Sequence, residues 1–367
     1  MTKYVVVSDI HAHNWSLFSK ILPNGVNSRL QIILSEMERA ASVGLEKGAE
    51  FMVMAGDLFH LRGVIDPEVL NPTRATIEKI LTKMDILAIP GNHDLKSRDT
   101  NELSSAIENM NGWLVEGENG ETHEFRVINE PTAIDFKGAL LGFVPWRYEK
   151  AGVLDGLNTL KAHKDHERMD VFIHYGIDGV LPMLSGNELT PKELTEFGFN
   201  RVLAGHYHNF KTFYGGICSI GAIAHHHWGD ISTRAGFLII DSADKDILQI
   251  PSKAPYFIDI SDMDEDSLIM ACQGNYVRYR GEQMTTRELA ELKQTFTDYG
   301  ACGVSIEAPK AATATHDKKV VTKIASLDTA VQNYIDSLSL DTELNPAKLK
   351  NEAIEVLNES RAALRNT

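Results

Sequence analysis

Phe51-Met52-Val53-Met54 leads, one residue later, into Gly56-Asp57-Leu58-Phe59-His60. A short apolar run bounded by glycine reads as a buried strand, and the acidic and imidazole groups that follow it sit where a core cannot use them. The same arrangement recurs along the chain. Val5-Val6-Val7 precedes Asp9-Ile10-His11, and Ile86-Leu87-Ala88-Ile89 precedes Gly91-Asn92-His93-Asp94. Val171-Phe172-Ile173 precedes His174, and Arg201-Val202-Leu203 precedes Gly205-His206-Tyr207-His208. Ligand-type residues at strand ends are the arrangement α/β folds use for their sites.

Between these patches, strands alternate with helices. A strand over 3–8 is followed by a helix from Arg29 to Glu46, with Leu30, Ile33, Leu34, Met37, Ala41 and Leu45 near 3.6 spacing and Gly48 ending it. The pattern predicts a second helix from about Pro72 to Met84. From about 123 the reading changes to successive strands: Glu124–Ile128, Thr132–Phe136 and Ala139–Val144. A helix near 150–163, a strand at 170–173, and strands near 201–204, 210–214, 217–220, 235–241 and 246–250 complete a first domain, 1–251. The expected class is α/β, with two face-to-face sheets flanked by helices. Residues 252–309 read as a small α+β domain, 310–325 as a linker and 326–367 as a helical tail. In the tail, Leu327, Val331, Tyr334, Ile335 and Leu338 make one apolar stripe, and Leu349, Ala353, Val356 and Leu357 another, with Pro346 opening the second helix. Stripes on so short a tail need a surface: a partner protein is the sharper reading, and packing back on the main domain the alternative.

Composition narrows the class. With 43% hydrophobic and 24% charged residues the chain reads as globular. No apolar stretch nears the roughly 20 residues of a membrane span, and Met1-Thr2-Lys3 opens directly onto a strand, so a cytoplasmic protein without a signal peptide is expected. Cys218, Cys272 and Cys302 lack metal spacing and read as reduced. A formal charge of −15 argues against unaided grip on a polyanion.

Asp, His and Asn suit manganese, iron or zinc. Asp9, His11 and His208 could hold one ion and Asn92, His174 and His206 another, with Asp57 bridging. Such a pair can clamp a phosphoryl group and lower the pKa of water, the chemistry of phosphoester hydrolysis. His93, beside Asn92 and followed by Asp94, is the candidate for protonating the leaving oxygen, on the expectation that the Asp94 carboxylate bonds its ring. His60 is placed to orient or protonate the same groups. His225-His226-His227 reads as a solvated or substrate-facing loop, with a phosphate contact or extra metal as the alternative. His13 lies near the first patch, and His123, His163, His166 and His316 read as surface residues.

Together these patches resemble the calcineurin-like metallophosphoesterase superfamily, and Gly56-Asp57-Leu58-Phe59-His60 is similar to the motif of its SbcD-type (meiotic-recombination-eleven) DNA-repair nucleases, in their phage and bacterial branch. Thr132–Phe136 with Val144-Pro145-Trp146, and Ser219-Ile220-Gly221 through Arg234-Ala235-Gly236-Phe237, are similar to segments of phage members. His13 stands where the family has glycine, and Ile220-Gly221-Ala222-Ile223 replaces its IG(S/T)P. The resemblance implies a four-layer fold with a capping domain at 252–309. It implies two manganese ions on Asp9, His11, Asp57, Asn92, His174, His206 and His208, with His93, His60 and Asp94 catalytic. It further implies exonuclease and endonuclease action on DNA, homodimerisation, and docking of the tail on an SbcC-type coiled-coil ATPase in a bacterial or phage-infected cell. A phosphatase or small phosphodiesterase of the same superfamily, and a metal-less protein-binding scaffold, are the rival readings.

Overall fold

The computed structural model describes residues 2–97, 105–117, 120–182, 186–309, 334–335 and 345–365. It divides into two compact units, 1–311 and 312–367. In the first, β1 (Lys3–Val7), β2 (Ala49–Met54), β3 (Asp85–Ala88) and β5 (Thr122–Val127) run parallel. They are linked by α1 (Ser28–Glu46) and α2 (Pro67–Leu81), and flanked by antiparallel β4 (Trp113–Glu116), β12 (Gly236–Asp241) and β13 (Ile247–Pro251). The sheet order is β13-β12-β1-β2-β3-β5-β4. A second sheet joins β6 (Thr132–Phe136), β7 (Ala139–Val144), β8 (Asp170–His174), β9 (Arg201–Gly205), β10 (Lys211–Thr212) and β11 (Ile217–Ser219) in the order β10-β11-β9-β8-β7-β6.

Strand alternation explains the layers. Tyr4, Val6, Phe51, Val53 and Leu87 pack against Leu141, Phe143, Phe172 and Leu203 between the two sheets. Their neighbours Val5, Val7, Met52 and Met54 point the other way, onto Leu30, Ile33, Leu34 and Met37 of α1. On the outer face of the second sheet, Val144, Val171 and Ile173 share a core with Val153, Leu157 and Leu160 of α3 (Lys150–Lys161) and Leu194 of α4 (Pro191–Thr195). The result is a mixed α/β fold of two sheets between helices, as expected.

Several boundaries differ from expectation. α2 begins five residues before Pro72, because Asp66 accepts from the Glu68 N–H at 3.0 Å and Pro67 fills the first turn. Pro72 then lies in the second turn, where its missing N–H deletes one helical bond. β4 went unread because its four residues alternate half-buried and exposed positions and form no buried apolar run. β10 shrinks to Lys211–Thr212, since Gly215 and Gly216, both at positive φ, turn the chain just beyond it. His123 is buried, not exposed, 3.6 Å from the Asp85 carboxylate, while His163 and His166 are half-buried.

Residues 252–309 form a parallel sheet of β14 (Phe257–Asp259), β15 (Tyr276–Arg280) and β16 (Gly303–Glu307), with α5 (Glu265–Cys272) and α6 (Thr286–Asp298). Ile260, Cys272, Val277 and Phe296 make its own core. Phe18 lies so close over Gly303 that a Cβ there would stand 2.3 Å from its ring. In the second unit α7 (Pro346–Arg365) is capped by Asn345, whose side chain accepts from the Ala347 N–H at 3.0 Å. Tyr334 and Ile335 are helical; the rest of the first tail stripe, the linker and His316 lie outside the described residues. No helix among the described residues is long and apolar enough to cross a membrane.

At the strand ends remote from the His and Asp patches, a buried ion pair ties the two sheets together. Arg201 Nη1 donates to Asp170 at 2.7 Å; Tyr4 from the first sheet donates to the same oxygen at 2.6 Å, and Arg201 Nη2 donates to the Asp241 carbonyl at 2.9 Å. Arg201→Met strands a buried carboxylate, so urea denaturation should show a loss of about 3–5 kcal/mol. The Arg201→Met, Asp170→Leu double variant should recover part of it.

Candidate metal centre

β1, β2, β3, β8 and β9 run parallel within their sheets, and the residues that follow them converge at one end of the two sheets. Close packing there demands glycine. A Cβ on Gly56, at φ +99°, would stand 2.1 Å from His174 Nδ1, and one on Gly91 would stand 2.2 Å from Asp57 Oδ1. Four candidate ligands hold left-handed backbone that their side chains disfavour: Asp9 (φ 50°), His11 (48°), Asp57 (55°) and His206 (101°). Such conformations cost roughly 1–3 kcal/mol each and persist where surrounding bonds dictate them. Asp9, for instance, accepts from the His206 N–H at 3.0 and 3.2 Å and from Ser8 Oγ at 2.7 Å.

All seven predicted ligands come together. The donor atoms of Asp9, His11 and His208 lie within 4.8 Å of one another, and so do those of Asp57, His174 and His206. Asn92 Oδ1 joins the second group, 3.2 Å from His174 Nε2 and 2.8 Å from His206 Nδ1. Asp57 Oδ2 stands between the groups, 3.7 Å from His11 Nε2 and 3.3 Å from His174 Nε2.

Hydrogen bonds set which ring atoms face inward. His174 Nδ1 donates to the Ala55 carbonyl at 2.7 Å, and His208 Nδ1 lies 2.8 Å from Asp230 Oδ1. With Nδ1 of both rings committed outward, their Nε2 atoms point at the centre, where His208 Nε2 meets His11 Nε2 at 3.1 Å. Converging imidazole nitrogens and carboxylates are the donor set of divalent metals, so the residues fit a pair of such ions.

His93 differs from expectation in its support. Its N–H donates to Asp57 Oδ1 at 2.7 Å and its Nδ1 to the His60 carbonyl at 2.5 Å. Asp94 does not bond the His93 ring. Its carboxylate accepts from the backbone N–H groups of Gly91 (2.9 Å), Phe59 (3.1 Å) and Leu58 (3.3 Å), tying two ligand loops together. Burial, then the Asp57 charge, pushes it up to about 7 against those bonds. His60 stacks on His93, with centroids 5.2 Å apart. Burial and the neighbouring His93 and His13 bring His60 down to about 4, which leaves it neutral at pH 7 and suited to orienting rather than protonating. The His13 ring lies beside those of His60 and Trp15, at 5.1 and 5.3 Å.

Sequence reasoning missed Asp230 and misread the run before it. His225 and His226 are buried, and only His227 faces solvent. Asp230 Oδ2 accepts from the His226 and His227 N–H groups at 2.6 and 3.1 Å, while Oδ1 receives His208. Against its burial, His208 holds Asp230 well below the usual carboxylate range. The spacing of His227 and Asp230, a capping box, was the available signal.

Burial would lower His174, yet the Asp57 carboxylate beside it, helped by Asp9, lifts it to about 9. The metal-free protein therefore carries that proton at pH 7 and must release it to a cation. Apparent metal affinity should rise with pH up to about 9 and level off above it. Titration calorimetry in buffers of different ionisation enthalpy should register the released proton at pH 7 and a smaller release once the pH passes about 9.

Two three-residue donor groups with one carboxylate between them, at the strand ends of a four-layer α/β fold, are the arrangement of a metallophosphoesterase. Residues 2–210 match the calcineurin-like phosphoesterase family, and the chain belongs to it. It is also similar to exonuclease subunit 1 of Enterobacteria phage T4, 21% identical over 185 residues that make 49% of this chain and 50% of that protein. The chain thus spans about half the length of that curated relative. Similar solved structures include a dimetal phosphatase from Danio rerio (11% identity, 65% of this chain and 91% of that one, TM-score 0.36) and a protein from Thermus thermophilus (12%, 68% and 98%, TM-score 0.38).

Proposed function

We propose that the chain is the nuclease subunit of a DNA-processing complex, hydrolysing DNA phosphodiesters as an exonuclease, with endonuclease action, on two manganese ions. The observation that carries the hydrolytic part is the position of the Asp57 carboxylate between the two donor groups. Asp9, His11 and His208 would hold one cation and Asn92, His174 and His206 the other, with Asp57 shared. Bound there, divalent cations supply Lewis acidity to a phosphoryl oxygen and to water. The chain's own residues do the rest. Asp230 and the Ala55 carbonyl fix the tautomers of His208 and His174, and Asp94 fixes the loop that presents Asn92 and His93. His93, oriented by the His60 carbonyl, gives a proton to the departing oxygen.

The nuclease assignment is supported by the similarity to a phage exonuclease subunit. A net charge of −15 favours a partner that supplies the grip on DNA. In this reading 252–309 caps the site, the tail docks on a coiled-coil ATPase, two chains pair, and the complex works in the cytoplasm.

The test compares manganese-dependent degradation of linear duplex DNA with hydrolysis of bis-p-nitrophenyl phosphate. Activity on both is expected. Activity on the small ester alone would support a phosphatase, and metal-free protein inactive on both would support a scaffold. Deleting 326–367 should abolish co-purification with the ATPase and leave ester hydrolysis intact; unchanged co-purification would defeat the docking role.

A further inference from the structure

We infer that His225 and His226 are positioning residues linking the free edge of the 252–309 sheet to the backbone of Asp9, so that this unit helps set the geometry of the metal centre. The inference rests on the reading of Asp9, His11 and His208 as metal ligands.

His226 is completely buried, and its Nε2 lies 2.9 Å from the Asp9 carbonyl. A carbonyl only accepts, so the ring proton sits on Nε2 and Nδ1 is bare; Nδ1 has no hydrogen-bond partner among the described residues. Burial holds the ring neutral, well below the ordinary histidine value. It stacks on Trp15, with centroids 5.5 Å apart and planes 15° apart, and lies 5.1 and 5.2 Å from the rings of His11 and His208. A leucine would fill this space without an orphaned ring nitrogen. What the imidazole adds is one bond, to the main chain of a metal ligand held at φ 50°.

The preceding side chain faces the 252–309 sheet. Among the described residues β14 lies at the edge of its sheet and pairs only with β15. His225 Nδ1 accepts from the Phe257 N–H of β14 at 3.1 Å, while its Nε2 faces the Thr233 carbonyl at 3.3 Å. Arg29 clamps the pair: it donates to the His226 carbonyl at 2.7 Å and lies over the rings of Trp15, Phe257 and Tyr276 at 5.3, 5.1 and 5.4 Å. Two consecutive residues, fixed at their backbone by Arg29 and Asp230, therefore join β14 to Asp9. This route joins the 252–309 sheet to the centre through hydrogen bonds alone.

The test uses the full chain with Mn2+ alone as probe. Calorimetric titration of His226→Leu should show one of two sites weakened about 10–100-fold, the range for groups that orient metal ligands, while the metal-free melting temperature stays close to wild type. His226→Gln, whose amide N–H can reach the same carbonyl, should restore the affinity. In the wild-type chain Mn2+ should slow hydrogen exchange at the Phe257 amide, and in His225→Leu that response should vanish. Wild-type affinity in His226→Leu, glutamine no better than leucine, or a Phe257 amide indifferent to Mn2+ would each overturn the link. Should His226→Leu not fold, the exchange measurement on the wild-type chain decides. A wild-type chain that takes up no Mn2+ would overturn the metal reading itself, an outcome distinct from these.

Discussion

Replacing Asp57 by asparagine should lower hydrolysis of bis-p-nitrophenyl phosphate by about 10³-fold or more, at or beyond the loss seen when one preorganised electrostatic group is removed from an active site. Both roles of the carboxylate fail together. Oδ2 faces both donor groups, and the neutral amide either weakens it as a donor or turns an N–H toward Nε2 of His11 and His174. Removing the buried negative charge also withdraws the interaction that lifts His174 to about 9, so the metal-free protein should release that proton at lower pH than wild type. Metal analysis should find less than two equivalents per chain. Two equivalents retained with near-normal turnover would show that the carboxylate does not bridge.

The candidate ligands were legible because each follows a run whose strand character is local. Val5-Val6-Val7 and Phe51-Met52-Val53-Met54 are apolar on both faces, as strands buried between a helix layer and a second sheet must be, and parallel strands deliver their next residues to one end. What was not legible depends on contacts distant in sequence. The partner of His226 Nε2 is a backbone carbonyl 217 residues away, and main-chain acceptors leave no mark in composition. Asp94 misled for the converse reason: adjacency to His93 suggested a pair, but consecutive side chains in this loop diverge, and the carboxylate found three N–H donors instead. A run of three histidines looked solvated because imidazole is polar. The structure instead gives the buried pair specific partners, the Phe257 N–H for His225 and the Asp9 carbonyl for His226.

His93→Ala should lower kcat by about 10²–10⁴-fold, the usual worth of a positioned acid, while both metals remain bound. Retention follows from the geometry: the link between His93 and Asp57 is made by the backbone N–H, which alanine keeps. A comparison with His60→Ala sharpens the assignment. His60 supports the His93 ring through its carbonyl, which survives the substitution, and its own ring is neutral at pH 7. Its loss should therefore cost less than that of His93, acting through the contact of its Nδ1 with His11 Nδ1 at 3.3 Å. A leaving group that needs no proton separates acid catalysis from positioning. With p-nitrophenolate departing, His93→Ala should lose less than with an alkoxide leaving from DNA. Equal losses on both substrates would mean that the ring acts on the phosphoryl group and not on the leaving oxygen, and loss of a metal ion would mean that it belongs to the ligand set.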